Sequence, residues 1–462
     1  MLEKLRPHWR PTILLAYPVV LSQVGHVLVG FVDSVLVGKL GTVPLAAVSL
    51  GVNSVNVIMI LGIGLSMGSV PLVAAADGRR DSADLARLLV SSVWLSALAG
   101  LTLAGLGQLV PELLHFLGQP SAVQTLAAPW VRVISWSFLP LMLFQGFREF
   151  AEGLGLTRQA MWLSIGANVV NAALCYALIF GHWGAPVLGM MGAAWATLAA
   201  RWLMALLMGG YVLLAPRLAG VRAAVLSWRP DRPTLFRLFD LGAPIGVQMA
   251  FEVGAFAAAA IMIGWLGAMP LAAHQVAINL ASITYMAASG IAAAATIRVG
   301  RLSGAGSRAE ARQAGTAAYV LGFVFMGIMG LLFIGFRQHA PLLYSHDPAV
   351  VAQAGTLLLI AALFQVSDGL QVVGLGALRG LGDVKVPSVV ALLAYWAVAL
   401  PLGYWLGFGL HLGAPGVWTG LLAGLSIVAV VLMLRFRRET APGFAALVPA
   451  PDLVEASGTV FE

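Results

Sequence analysis

Runs of about 20 apolar residues recur along this chain to residue 434, separated by short polar connections. At about 1.5 Å of rise per residue, each is long enough to cross the hydrocarbon core of a bilayer as a helix. Twelve such spans are expected, at 13–37, 46–73, 87–109, 126–147, 160–181, 187–213, 238–264, 271–297, 315–336, 352–375, 388–408 and 413–434. Within them the polar residues are not scattered. Gln23, His26, Gly30 and Asp33 recur at helical spacing on one face of the first span, and Ser49, Asn53 and Asn56 do so on the second. The fifth carries Ser164, Asn168, Asn171 and Cys175; the seventh Gln248 and Glu252; the eighth Gln275, Asn279 and Ser282; the tenth Gln365, Asp368 and Gln371. A helix surrounded by lipid cannot hold such rows, so these faces turn inward. Taken singly, most of the amides and hydroxyls suffice as interhelical hydrogen-bonding groups.

Three acids stand apart. Asp33, Glu252 and Asp368 fall inside spans, where a carboxylate costs roughly 2.5–3.5 kcal/mol on insertion scales. Packing does not require a charge, so these residues mark an ion or substrate pathway. Glu252 and Asp368 lie at similar depth by residue count, and two carboxylates on one cavity share a proton or jointly bind a cation such as Na+. Asp33 is a candidate second cation site, with Asn168, Asn171 and Thr197 as oxygen-donating neighbours.

Composition agrees with many spans: 60% of residues are hydrophobic and 10% charged, against about 25% charged in a soluble domain. The net charge of +7 is explained by topology rather than by nucleic acid. Lys4, Arg6 and Arg10 precede the first span, Arg435, Arg437 and Arg438 follow the last, and the even-numbered connections hold sixteen more, Arg148, Arg298, Arg301 and Arg379 among them. Only Lys39, Arg132 and Arg337 fall on the other side, and Arg201 inside the sixth span, which places both termini in the cytoplasm. No phosphate-cradling loop and no zinc spacing occurs.

The chain also repeats itself. At an offset of 226 residues, LGTVPLAAV (40–48) meets LGAMPLAAH (266–274), Pro18 meets Pro244, Asn53 meets Asn279, Gly64 meets Gly290 and Gly78 meets Gly304. Six spans per copy give both copies the same orientation, the parallel-repeat design of transporters with a site between two lobes. The expected organisation is an all-α polytopic membrane protein of two pseudo-symmetric six-helix lobes, 1–215 and 238–438, with a cytoplasmic linker at 216–237 and a cytoplasmic tail at 439–462. Under the offset Glu252 faces His26 and Asp33 faces Ala259, so the two copies carry different chemistry.

FVDSVLVGKLG (31–41), PIGVQMAFEVGAF (244–256), AAHQVAINLAS (272–282) and SDGLQVVGLGALRGLGD (367–383) resemble motifs of the multidrug and toxic compound extrusion family, nearest its bacterial NorM branch. The resemblance implies export of cationic, amphipathic small molecules coupled to Na+ or H+ in a bacterial inner membrane, with Asp33, Glu252 and Asp368 as the coupling acids. Cys175 departs from the family pattern, which often has a second amide or acid there. Gln23, His26, Asn53, Asn168, Asn171, Thr197, Gln248, Gln275, Asn279 and Gln365 are the expected cavity-lining residues. A monomer in contact with lipid, with no cofactor beyond the coupling ion, is expected. Two other readings remain at this point: a flippase for lipid-linked substrates, which would want a basic cavity, and an intramembrane hydrolase using Asp368 with Asp383 of GLGD (380–383).

Overall fold

Residues 2–117, 120–215, 218–224 and 229–442 are described by a computed structural model. The expected tail beyond residue 442 and parts of the expected linker lie outside these residues. Twelve helices are long and apolar enough to cross a membrane: α1 Leu5–Gly38, α2 Thr42–Arg79, α3 Ser82–Leu113, α4 Ser121–Gly153, α5 Thr157–Phe180, α6 Met190–Leu214, α7 Arg232–Gly264, α8 Ala268–Gly304, α9 Arg308–Phe336, α10 Pro348–Gly380, α11 Lys385–Gly409 and α12 Ala414–Glu439. Among the described residues there is no strand. The linker expected over 216–237 ends earlier, because α7 begins at Arg232, where Asp231 accepts a hydrogen bond from the Thr234 amide at 3.1 Å. Asp81 caps α3 in the same way, accepting from the Asp84 amide at 2.9 Å.

Several helices are longer than their apolar runs. α4 continues to Gly153 and α10 to Gly380, because their last turns are covered by other helices and need not be apolar. Two spans are broken: α2 at Gly68 and α4 at Ser137. α11 contains two π-helical stretches, Ala394–Ala399 and Trp405–Gly409, on either side of Pro401. A proline cannot donate to the helix and crowds the preceding turn, which accounts for the irregular register around it.

Packing follows the repeat. In the first lobe α1 packs on α5, α5 on α6, α3 and α2 on α4, and α4 on α6; in the second, α7, α11, α9, α8, α10 and α12 repeat each of these contacts. The lobes meet through α1 on α8 and α2 on α7. The two cores differ. The second lobe has one continuous apolar cluster from Ala255 to Phe436, whereas the first has two separate clusters.

One end of the bundle is shut by backbone contact between lobes. A Cβ on Gly78 of α2 would lie 2.0 Å from the Arg301 carbonyl of α8, and one on Gly304 would lie 2.2 Å from the Ala75 carbonyl. These two contacts are images of each other under the 226-residue offset. Further into the bundle, a Cβ on Gly64 would lie 2.3 Å from the Cα of Gly246. Small residues are what allow helices to approach so closely in a membrane. Polar ties reinforce the same end: Arg301 pairs with Asp77 at 2.6 Å, and Arg298 donates to Thr12 Oγ1 at 2.7 Å and contacts His8 Nδ1 at 2.8 Å. Both arginines were expected in a cytoplasmic connection; they lie in α8 and bridge the lobes.

Gly78→Val or Gly304→Val forces these backbones apart. Either change is expected to lower stability by roughly 1–3 kcal/mol, the range for overpacking, read as a drop in thermal unfolding midpoint of the detergent-solubilised protein. Gly105, with nothing within 4 Å of its Cβ direction, supplies the control. Equal drops for Gly105→Val and Gly78→Val would show that the close approach is not what closes this end.

Candidate functional site

Between the lobes, and reaching deep into the first, lies a cavity of about 500 Å³. Its walls come from α1, α2, α4, α5 and α6 on one side and α7, α8 and α10 on the other. The lining is largely apolar and carries four carboxylates (Asp33, Glu149, Glu152, Glu252) and three guanidiniums (Arg148, Arg201, Arg379).

In the first lobe the polar faces expected on α1 and α5 do meet. Asn171 Nδ2 donates to both oxygens of half-buried Asp33, at 3.2 and 3.3 Å, and Cys175 Sγ donates to Oδ1 at 3.2 Å. Cys175 therefore takes up the position of an additional donor to the acid. The Asn171 Oδ1 is buried with no hydrogen-bond partner among the described residues. Gln23, Asn168 and Thr197 also line the cavity. Thr197 donates to the Ala193 carbonyl of its own helix at 2.9 Å. The side chain of His26 lies outside the described residues. Arg201 forms no ion pair with Asp33; its Nη1 donates to Ser137 Oγ at 2.6 Å and its Nη2 points at Met59 Sδ at 3.9 Å.

In the second lobe Glu252 projects from α7 to the cavity. Its Oε1 accepts from Gln371 Nε2 at 3.2 Å and lies 3.0 Å from the Tyr395 hydroxyl, which is also 2.9 Å from Gln371 Oε1. Asp368 is within electrostatic range of Glu252 but sits behind the wall, 4% exposed and without a hydrogen bond from any described residue. Two acids facing one cavity were expected; one faces it and the other backs onto the first. Among the described residues none of the three acids Asp33, Glu252 and Asp368 has a basic partner within 4.0 Å.

Four expected lining residues lie elsewhere. The α2 stripe in the cavity runs through Val48, Val52, Val55 and Met59, leaving Asn53 about 100° round the helix from Val52 and exposed. Gln275 and Asn279 bond to each other at 3.0 Å nearer the start of α8 than its cavity-lining residues, which begin at Tyr285. Gln365 is fully buried and donates to Thr284 Oγ1 at 2.6 Å, tying α10 to α8. Gln248 does line the cavity and accepts from Arg379 Nη2 at 3.2 Å.

The cavity floor was missed. Arg148, Glu149, Glu152 and Arg379 fall beyond the expected ends of their spans and read as loop charges. They instead occupy the last turns of α4 and α10, with Arg148 and Glu152 paired at 2.7 Å. Their one sequence signal is spacing: Arg148 and Glu152 stand at i, i+4, an ion-pair spacing on a helix. Tyr395 was missed as well, since an aromatic in an apolar run carries no mark of a polar role. Asp383, the partner acid of the hydrolase reading, is 7% exposed and paired with Arg435. Among the described residues no cluster of three His, Cys, Asp or Glu could hold a transition metal.

The chain matches the MatE family model twice, at residues 18–177 and 244–405. The two matches begin at Pro18 and Pro244, the offset of the repeat. A probable multidrug resistance protein NorM of Rhizobium meliloti (strain 1021) is 36% identical over 436 residues, 93% of each chain. The multidrug resistance protein NorM of Burkholderia vietnamiensis is 37% identical over 451 residues, 96% of each. A crystal structure of a MATE in the bent conformation shares the fold with a TM-score of 0.87 at 21% identity, over 95% of this chain and 97% of that one. The eukaryotic MATE transporter AtDTX14 does so with a TM-score of 0.83, also at 21%, over 95% of this chain and 98% of that one. A family match in each lobe and relatives of this identity from end to end establish that the chain belongs to the MatE family, the multidrug and toxic compound extrusion proteins, which are transporters rather than enzymes.

Proposed function

We propose that this protein is a secondary multidrug antiporter that expels amphipathic organic cations in exchange for inward Na+ or H+, by alternating access of the cavity between its lobes. The observation that carries the reading is the set of three membrane-embedded carboxylates, Asp33, Glu252 and Asp368, with no basic partner within 4.0 Å among the described residues, whose other buried acids are mostly ion-paired. An acid kept without a counter-charge in low dielectric is compensated by a proton, a metal cation or a cationic substrate, and exchange among these couples their fluxes. On this reading both termini and the closed, arginine-rich end face the cytoplasm of a bacterial inner membrane, and the protein works as a monomer in contact with lipid.

The second-lobe acids give the coupling a physical form. The Tyr395 hydroxyl has one hydrogen and two acceptors in reach, Glu252 Oε1 and Gln371 Oε1. With Glu252 charged, that hydrogen is drawn to the carboxylate. Once Glu252 is neutralised by a proton, its own O–H donates to Tyr395, and the tyrosine turns to Gln371. The side chains of α7, α10 and α11 thus have two hydrogen-bonding arrangements, selected by ion occupancy. Na+ held between Glu252 and Asp368 would free the tyrosine similarly. In the first lobe, Asp33 is a second cation site of the same kind.

The other readings fit less well. A lipid-linked flippase wants a basic wall, and here the carboxylates outnumber the guanidiniums, one of which is held by Glu152. For a hydrolase, Asp383 lies past the end of α10, about 18 Å or more along the helix axis from Asp368, and is paired with Arg435.

Vesicles loaded with protein should exchange ethidium for whichever cation gradient is imposed, Na+ or H+; accumulation that ignores both gradients would defeat antiport. Glu252→Gln and Asp368→Asn keep shape and lose charge, so each should cut coupled export by about tenfold or more while membrane insertion is unchanged or improved. Export at the wild-type rate, with unaltered pH and sodium dependence, would remove that residue from the coupling site. Tyr395→Phe should fold normally and shift the ion concentration giving half-maximal export. If that concentration stays where it is in the wild type, Tyr395 only packs.

A further inference from the structure

Arg201 stands in the cavity wall with no ion-pair partner among the described residues. Ser137, which breaks α4 into its two halves, donates its own hydroxyl hydrogen to the Ile134 carbonyl at 2.6 Å and receives Arg201 Nη1 at 2.6 Å. Met59 Sδ at 3.9 Å is a weak second acceptor. No carboxylate among the described residues lies within 4.0 Å, although Asp33 shares the cavity and attracts the guanidinium across it. A guanidinium presents five donors in a planar fork, so three face neither acceptor. An arginine near mid-span is expensive, and one paired with a structural acid would be easier to explain.

The surroundings suit an anion. Trp130 stands two helical turns before Ser137 on the same face of α4, lines the cavity, and has a buried indole N–H with no acceptor among the described residues. Around it Met59, Ile134 and Phe138 form an apolar wall able to hold a flat or greasy body. Asp33, oriented by Asn171 and Cys175, lines the same cavity within electrostatic range of Arg201. The first-lobe cavity therefore offers an acid, a base and an apolar wall.

We propose that Arg201 is a specificity-determining residue that binds the carboxylate of zwitterionic amphiphiles whose cationic end is held by Asp33. A carboxylate matches the guanidinium fork with two parallel hydrogen bonds, a geometry a lysine cannot reproduce. The inference rests on the export function proposed above and narrows its substrate class, from cations in general to molecules carrying a carboxylate as well.

Rhodamine 110 and rhodamine 123 share one cationic ring system and differ in that the first has a free carboxylic acid and the second its methyl ester. Fluorescence anisotropy titrations of both dyes on the full-length protein in lipid nanodiscs measure the ratio of their Kd values. Wild-type protein should bind the acid about tenfold tighter than the ester. Arg201→Met should bring that ratio close to one, and Arg201→Lys, charged but without the fork, should fall between. A wild-type ratio near one, or a preference that survives in Arg201→Met, overturns the proposal. The wild-type ratio decides alone if Arg201→Met does not fold. The two proposals fail separately. Selective binding of the acid with no gradient-driven export of either dye defeats antiport and leaves Arg201 its role. Export of both dyes with a ratio near one does the reverse.

Discussion

A charged side chain in hydrocarbon must find water, a partner or a protein-lined cavity, and this constraint arranges most of the molecule. The faces that carry Asp33, Arg201, Glu252 and Asp368 turn inward, which brings α1, α6, α7 and α10 around a common space, and α4 joins them with the charges of its last turns. The charges that have partners close the structure: Arg301 with Asp77 ties the lobes, and Arg435 with Asp383 ties α12 to the turn after α10. Charges in the spans with no ion-pair partner among the described residues face the cavity or lie just behind it. Asp33, Glu252, Asp368 and Arg201 belong to this second group.

Duplication supplied a symmetric scaffold, and chemistry then broke the symmetry. Contacts between lobes occur in image pairs, down to the carbonyl that each of Gly78 and Gly304 meets. The interior does not follow. The position equivalent to Asp33 is Ala259, fully buried in the continuous core of the second lobe. That lobe instead carries its acids on α7 and α10, with a tyrosine from a π-helical stretch of α11 completing the network. The first lobe has two apolar clusters and contributes most of the cavity lining, while the second has one continuous cluster and contributes a wall.

Helix count, lobe organisation and the identity of the unpaired acids were legible in the amino-acid order. Each depends on local or periodic properties: apolar run length against bilayer thickness, self-similarity at one offset, and the expense of a carboxylate in a span. The meeting of Asp33 with Asn171 was also foreshadowed, because both lie on polar stripes that had to face something. Tertiary structure decided the rest. It moved Arg148, Glu149, Glu152 and Arg379 from loop to cavity floor, since whether a helix end meets water or another helix depends on neighbours distant in sequence. It turned Asn53, Gln275 and Asn279 away from the cavity, since a stripe shows that a face is polar without saying which space it meets. It brought Tyr395 to Glu252 through a π-helical register that residue spacing does not record. Finally, it left Arg201 beside a hydroxyl rather than a carboxylate, because the partner of a buried charge is set by packing in three dimensions and not by order along the chain.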